Sequence, residues 1–521
     1  MKTKRLAAVA GILCLAVVCA GVAFADVSNT LVIEGQGYFE PIGGPELTAN
    51  NANRDFEIFR GDTDFTPAQM HARIRATSEM DGDITSRITR ECRRGDVLVV
   101  CPIRWQEWEM GNYTVTYQVQ DTAGRQAIPI TMSIVIWQFI NIANGTSHGL
   151  ALGSNGSVWT WGWNGSGQRG IASSVASAAT FRAPTLIPQR RFNDLPVIDI
   201  AAAHHTSCVL NSAGIAHCWG SNSAGQLGDG GIFDSTMPWI VRMPSGVTFR
   251  QISGSKGDGA RGAFGALGSN GDVYTWGFGG GFTLGTGSTS NQSRPTRITE
   301  TGNIVYVSQG PSGGAAITDG GDVMVWGTNA HGQLARGNTT ASNATTSRPS
   351  IVSGLPGNIR QVSYGGDGAF GFVMALTERG EVWGWGRARG VNGGAGNQTT
   401  PVRVGSISGV RFINAGADFT HMVVGNDVYG IGRANFGELF GGNTTTRTTP
   451  WLSSMADIAG NVGMTAGGFD NAYVLSVDGT TLWGIGVADA TRQQFGSTIH
   501  QATSTAAARP WTITAPHVER Q

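Results

Sequence analysis

The chain has 521 residues, with 36 Lys+Arg against 36 Asp+Glu. Only 14 % of it is charged, and glycine fills 78 positions, about twice the usual ~7 % share. That composition argues against long charged helices and for many short strands joined by glycine turns. The even charge balance supplies no basic face to neutralise phosphates, so no nucleic-acid partner is expected.

The first 25 residues stand apart. Lys2, Lys4 and Arg5 precede an apolar run from Leu6 to Ala20, and Ala23-Phe24-Ala25 supplies a small-residue cleavage site before Asp26. Residues 1–25 therefore read as a secretory signal peptide. The apolar run falls short of the ~20 residues of a membrane helix, and Val18 before Cys19 argues against a lipoprotein site. Loss of the three basic residues leaves 33 against 36 acidic ones, a net charge of −3, with Lys256 the only lysine. No later segment is apolar enough to cross a bilayer. The expected location is secreted, cell-surface or periplasmic.

Cysteine use agrees with export. Cys14 and Cys19 leave with the signal, and Cys92, Cys101, Cys208 and Cys218 remain. An even count in an exported chain suggests disulfides. Four cysteines allow three pairings, and proximity favours Cys92–Cys101 and Cys208–Cys218. The latter pair brackets the turn-rich Asn211-Ser212-Ala213-Gly214. Zinc would want Cys-x-x-Cys or histidines at ligand spacing; neither is present, so no metal or cofactor is expected.

In residues 26–137, Tyr113, Val115, Tyr117 and Val119 alternate with polar residues, the pattern of a half-buried strand. Asp121-Thr122-Ala123-Gly124 is a turn, and Ile128 to Ile136 gives another strand. Asp81-Gly82-Asp83-Ile84-Thr85 with the Gly111 to Gly124 run resembles the immunoglobulin-like domain of bacterial surface proteins and of an insecticidal crystal protein. The resemblance implies a β-sandwich spacer or adhesive module without catalysis. Glu79, Asp81 and Asp83 cluster oxygens that calcium could use, although Asp-Gly-Asp is also an ordinary turn. Arg60-Gly61-Asp62 spells a cell-attachment tripeptide that three residues match easily by chance.

From residue 138 onward the chain repeats. Trp161-Gly162, Trp219-Gly220, Trp276-Gly277, Trp326-Gly327 and Trp385-Gly386 are followed by Ile431-Gly432 and Ile485-Gly486, with steps of 58, 57, 50, 59, 46 and 54 residues. Pro184, Pro238, Pro295, Pro349, Pro401, Pro450 and Pro510 run in phase. Seven copies near this period indicate a propeller or solenoid. Ser154-Asn155-Gly156, flanked by alternating apolar residues, marks a hairpin, so each unit reads as a central hairpin, a glycine turn and a strand starting near the proline.

Asn222-x-x-Gly225-Gln226-Leu227-Gly228, Asn329-x-x-Gly332-Gln333-Leu334, Asn164-x-x-Gly167-Gln168 and Gly437-Glu438-Leu439 complete the pattern. It closely resembles the repeat of the regulator-of-chromosome-condensation (RCC1) family over residues 139–515. The resemblance implies an all-β chain: a seven-bladed RCC1-like β-propeller at 138–521 after an immunoglobulin-like β-sandwich at 26–137. Units three and five lack the Asn-x-x-Gly-Gln stretch.

Trp161, Trp219, Trp276, Trp326 and Trp385 recur once per unit and so are expected to pack between blades, where an aromatic buries ~150–250 Å². Trp163 lies outside the marker and is the candidate exposed binding aromatic. His148, His205 and His421 fall near the family's histidine position and suggest structural hydrogen bonds. There is no repeated carboxylate pair of the glycosidase kind, no G-x-S-x-G element and no phosphate loop. Gly277-Phe278-Gly279-Gly280-Gly281 precedes no helix signal and reads as a blade turn.

The leading expectation is an exported, non-catalytic scaffold that binds an extracellular protein or glycan. An enzyme acting on envelope polysaccharide is the alternative, and guanine-nucleotide exchange, known in nuclear members of the family, fits poorly with export. Binding is expected on the longest loops, Gly170 to Ala183, Gly337 to Ser347 and Ala488 to Arg509. Ring closure is expected to place residues 137–142 and 511–514 in neighbouring strands.

Overall fold

The computed structural model describes residues 31–519 except 34–35, 39–45, 50–54, 60–66, 73, 79–80, 102–103, 105–108, 172–184, 257–261, 300–301, 442, 487–510 and 514–517. The signal segment, Arg60-Gly61-Asp62, Glu79 and most of two predicted loops lie outside these. Two compact units divide the chain, one from Met1–Trp137 with Pro516–Gln521 and the other from Gln138–Ala515.

The first unit holds two sheets, one of five and one of six strands. Gly111–Gln118 and Ile130–Trp137 pair antiparallel in the larger sheet. As the alternation predicts, Tyr113, Val115, Tyr117 and Val119 are buried. They share a core with Ile74 and Ala76 of the smaller sheet. Cys92 and Cys101 are disulfide-bonded. Val518–Glu519 pairs with Asp55–Phe59 in this unit, so the end of the chain leaves the propeller.

The second unit is seven four-stranded antiparallel sheets, each built from four consecutive strands. Blade one comprises Phe139–Asn144, His148–Gly153, Val158–Gly162 and Thr185–Ile187. The inner strands of blades two to seven are Val197–Ala203, Phe249–Gly254, Ile304–Gln309, Ile359–Asp367, Val410–Ala415 and Val462–Gly467.

The Trp–Gly or Ile–Gly marker ends the third strand of every blade but the fifth, where Arg387 follows it, and its glycine has φ between 91° and 140° in all seven. A Cβ there would sit 2.2–2.7 Å from a backbone oxygen in blades two to seven. Both the left-handed backbone and the close approach demand glycine.

The outer strands of blades one, four and seven begin at Thr185, Ser350 and Trp511, directly after a marker proline in the sequence, as predicted. The other four prolines do not start their strands. Pro238, Pro295, Pro401 and Pro450 lie inside the outer strands Ser235–Ile240, Gln292–Arg297, Asn397–Arg403 and Arg447–Leu452. In each case the ladder skips residues around the proline. A bulge on an edge strand costs no ladder bond, so it tolerates proline as well as a strand start does.

The predicted closure is also corrected. Trp511–Ile513 is the outer strand of blade seven, paired with Leu482–Gly486, while Phe139–Asn144 is the inner strand of blade one. Each blade is already complete, so no strand is exchanged. The ring closes through blade faces. Phe139 N donates to Gly479 O at 2.9 Å, Asn144 and Asn471 exchange side-chain bonds at 3.1 and 3.2 Å, and Trp161 meets Tyr473 edge-on.

Candidate functional site

Every inner strand carries a one-residue bulge at the same position, and the residues skipped are Ile140, Ile198, Arg250, Val305, Arg360, Arg411 and Gly463. A bulge re-aims its side chain. Ile140, Ile198 and Val305 are 48, 50 and 55 % exposed, and the three arginines are exposed as well. Six of the seven bulges thus set a ring of aliphatic and cationic side chains at one level of the inner strands, and the seventh is Gly463. Arg360 and Arg411 also donate to carbonyls of the next blade, at Val410 and Val462 respectively.

Inside this ring lies a cavity of about 870 Å³ lined by all seven inner strands. Its wall is tied blade to blade by side chains that imitate a sheet partner. Gln251 donates to Val307 O and accepts from Val307 N at 3.1 and 2.9 Å. Gln361 does the same with Ile413 at 2.9 and 3.0 Å. Asp199 accepts from Ile252 N at 3.0 Å and from its own neighbour Ile200 N at 2.9 Å. Burial raises the Asp199 carboxyl to about 6 despite those two donors.

The predicted tryptophans are all buried. Trp219, Trp276 and Trp385 donate their indole N–H to the carbonyl of Gln168, Gln226 and Gln333 in the preceding blade, at 2.8–2.9 Å. They join blades and present nothing to solvent. Trp163 is half-buried against His205, with centroids 4.4 Å apart. More open aromatics are Phe233, Trp239 and Trp451. The last two directly follow a marker proline on an edge strand, a signal readable in Pro238-Trp239 and Pro450-Trp451.

The three histidines do not share a register. His148 faces Gly162 across its hairpin, whereas His421 faces Gly430, two residues short of the marker glycine. His205 lies in the turn before Thr206–Asn211. His148 Nε2 lies 2.9 Å from Ser207 Oγ, which itself donates to Gln168 O at 2.8 Å. The hydroxyl proton is committed, so His148 must donate and cannot act as base toward that oxygen. Both residues are fully buried, and burial pulls His148 down to about 3. Asp81 accepts from Thr122 N, Thr122 Oγ1 and Arg87, and Asp83 accepts from Thr85 N at 2.9 Å, a local turn bond. Among the described residues no three His, Cys, Asp or Glu form a metal-sized group.

Cys208 and Cys218 face each other across the hairpin and are disulfide-bonded, with Cα atoms 4.1 Å apart.

Residues 155–210, 270–317 and 320–371 match the model of the regulator of chromosome condensation (RCC1) repeat, and 139–168 match a second RCC1 repeat model. The chain carries RCC1 repeats. It is 25 % identical to the ultraviolet-B receptor UVR8 of Arabidopsis thaliana over 335 residues, 63 % of this chain and 72 % of that protein. It is 32 % identical to the human E3 ubiquitin-protein ligase HERC2 over 221 residues, 42 % of this chain but only 4 % of that protein. Prp20p of Saccharomyces cerevisiae, studied for its binding to Gsp1p and histones, superimposes with a TM-score of 0.55 at 20 % identity, over 68 % of this chain and 84 % of its own. Human WBSCR16 gives the same TM-score and identity over 69 % and 92 %. These likenesses establish the propeller fold.

Proposed function

We propose that this chain is an exported, non-catalytic binding scaffold. Its propeller offers the inner-strand bulge ring to an extracellular protein or glycan, and residues 26–137 act as an immunoglobulin-like spacer. The observation that carries the reading is the ring itself: three half-exposed aliphatic side chains and three arginines on a closed, rigid set of strands. Exposed apolar groups edged by polar ones mark interaction surfaces, and arginine is enriched where proteins meet. Two disulfides fit an oxidising compartment. The committed Ser207 hydroxyl argues against the His148–Ser207 contact as a nucleophile and its base. Protein binding by an RCC1-like propeller also has a precedent in Prp20p.

The test is to offer the mature protein to arrays of envelope glycans and of proteins from the extracytoplasmic fraction, and to analyse what it captures. Saturable capture with the ligand recovered intact is expected. Recovery of cleaved glycan would overturn the non-catalytic reading in favour of a polysaccharide-acting enzyme.

A further inference from the structure

We propose that the central cavity of the propeller is a binding site for a small organic oxyanion, a carboxylate or phosphate group held by Lys256 and by the hydroxyls of Ser253, Ser308 and Ser363. The cavity is also lined by the bulge residues Ile140, Ile198, Arg250 and Val305, but the site does not depend on the scaffold reading.

Three residues past each bulge, the inner strands present one level of the cavity wall. These positions are Ala143, Ala201, Ser253, Ser308, Ser363, Asn414 and Ala466, and all seven line the cavity. Blades three, four and five contribute the serines. Each serine Oγ accepts a backbone N–H from the next blade: Gln309 N at 3.0 Å, Tyr364 N at 2.9 Å and Ala415 N at 2.9 Å. A hydroxyl oxygen fixed in this way still has its proton to donate. None of the three donates to a described residue, and all three line the cavity. Three donors therefore form an arc on one side, faced by alanines on the other.

Lys256 completes the arc. It follows the inner strand of blade three, yet its Nζ donates to Asn414 Oδ1 at 3.1 Å and to Ala415 O at 2.7 Å in blade six. The side chain therefore reaches across the cavity. Two of its three protons are used, both on neutral acceptors, and no described carboxylate lies in ion-pair range. Lys256 is half-buried, and an ammonium partly withdrawn from water without countercharge is costly. Burial pulls it down to about 7, and an oxyanion would supply the missing charge. Two residues back along the strands, roughly 7 Å away, Asp199 also lines the cavity, which suits hydroxyl or amino donors on the far side of the ligand. The volume of about 870 Å³ is within the ~300–1,000 Å³ of small-molecule sites.

Isothermal titration of the mature protein with inorganic phosphate, sulfate and glucuronate, against glucose and chloride, tests the site. Saturable binding of at least one oxyanion is expected, with glucose and chloride silent. Lys256→Met should weaken it at least tenfold, and the double variant Ser308→Ala/Ser363→Ala should weaken it several-fold. The serine pair decides the matter if Lys256→Met fails to fold, which circular dichroism would reveal. No oxyanion heat, an equal response to chloride, or binding that survives both variants would overturn the proposal.

Discussion

Blades two, three and five join their predecessors differently from blades four, six and seven. In the first group the marker tryptophan both fills the interface and donates to the carbonyl at the glutamine position of the preceding blade. In blade four that carbonyl, Thr283 O, is instead met by Gln309 Nε2 at 3.2 Å. Blade six has Ile431 at the marker, and its cross-strand neighbour Thr420 donates to Gly390 O of blade five at 2.8 Å. Blade seven has Ile485, and Glu438 O is satisfied by His421 within blade six at 2.7 Å. A buried carbonyl left unpaired costs ~1–3 kcal/mol. At five of these six interfaces the acceptor carbonyl keeps one place, at Gln168, Gln226, Thr283, Gln333 and Glu438, while its donor varies.

The substitution Trp219→Ala should have the largest effect, because it removes the packing and the donor together. A loss of about 3–5 kcal/mol is expected for a buried tryptophan, read from denaturant unfolding. Trp219→Phe should retain most of the packing and lose less. Equal losses for the two variants would show that the hydrogen bond, and not the filling, dominates.

Opening the Cys208–Cys218 bridge by Cys208→Ser/Cys218→Ser should cost about 2–4 kcal/mol, again by unfolding. The pair lies beside Trp219, so unchanged stability would mean that the blade one–two junction alone holds this hairpin in place.

Next in size is Gly220→Ala. Its φ is 104°, and the new Cβ would meet His205 O at 2.3 Å. A left-handed alanine costs about 1–3 kcal/mol. A neutral result would contradict the explanation given for the marker glycine.

Glu438 sharpens the comparison at blade six. It stands where blades one, two and four have Gln168, Gln226 and Gln333, and like them it accepts a backbone N–H two residues earlier, at Phe436. It adds a charge beside Arg433, which also pairs with Asp470. Burial, only partly countered by Arg433, raises the Glu438 carboxyl from 4.5 to about 7. Between those values the folded state holds more protons than the unfolded one, so this group lowers stability as pH rises through the window. Glu438→Gln should remove that slope. The variant should gain on the native chain by on the order of 1 kcal/mol between pH 4.5 and pH 8. A constant difference across that range would rule out titration of Glu438.

Much of this fold was readable from the chain. The marker pair and the prolines give seven units because one residue type must fill each blade interface and one must take positive φ. The hairpin turns and the inward face of Tyr113, Val115 and Tyr117 follow from alternation. What the sequence hid is equally specific. A bulge has no residue signature, so the ring of Ile140, Ile198 and Val305 was invisible. The reach of Lys256 from blade three to blade six depends on ring closure, which no local pattern encodes. Proline has two permitted settings in an edge strand, and nothing in the sequence distinguishes the strand start after Pro349 from the bulges at Pro238, Pro295, Pro401 and Pro450. Trp163 looked open only because its stacking partner, His205, comes from the next blade.

On the proposed function, a partner docks on the bulge ring. The most direct measurement of that docking is the affinity of a captured partner for the native chain and for Ile198→Glu/Val305→Glu, by surface plasmon resonance. Both side chains are half-exposed, so the fold should survive, as a shared unfolding midpoint would confirm. A drop in affinity of tenfold or more is predicted; identical affinities in two equally stable proteins would contradict it.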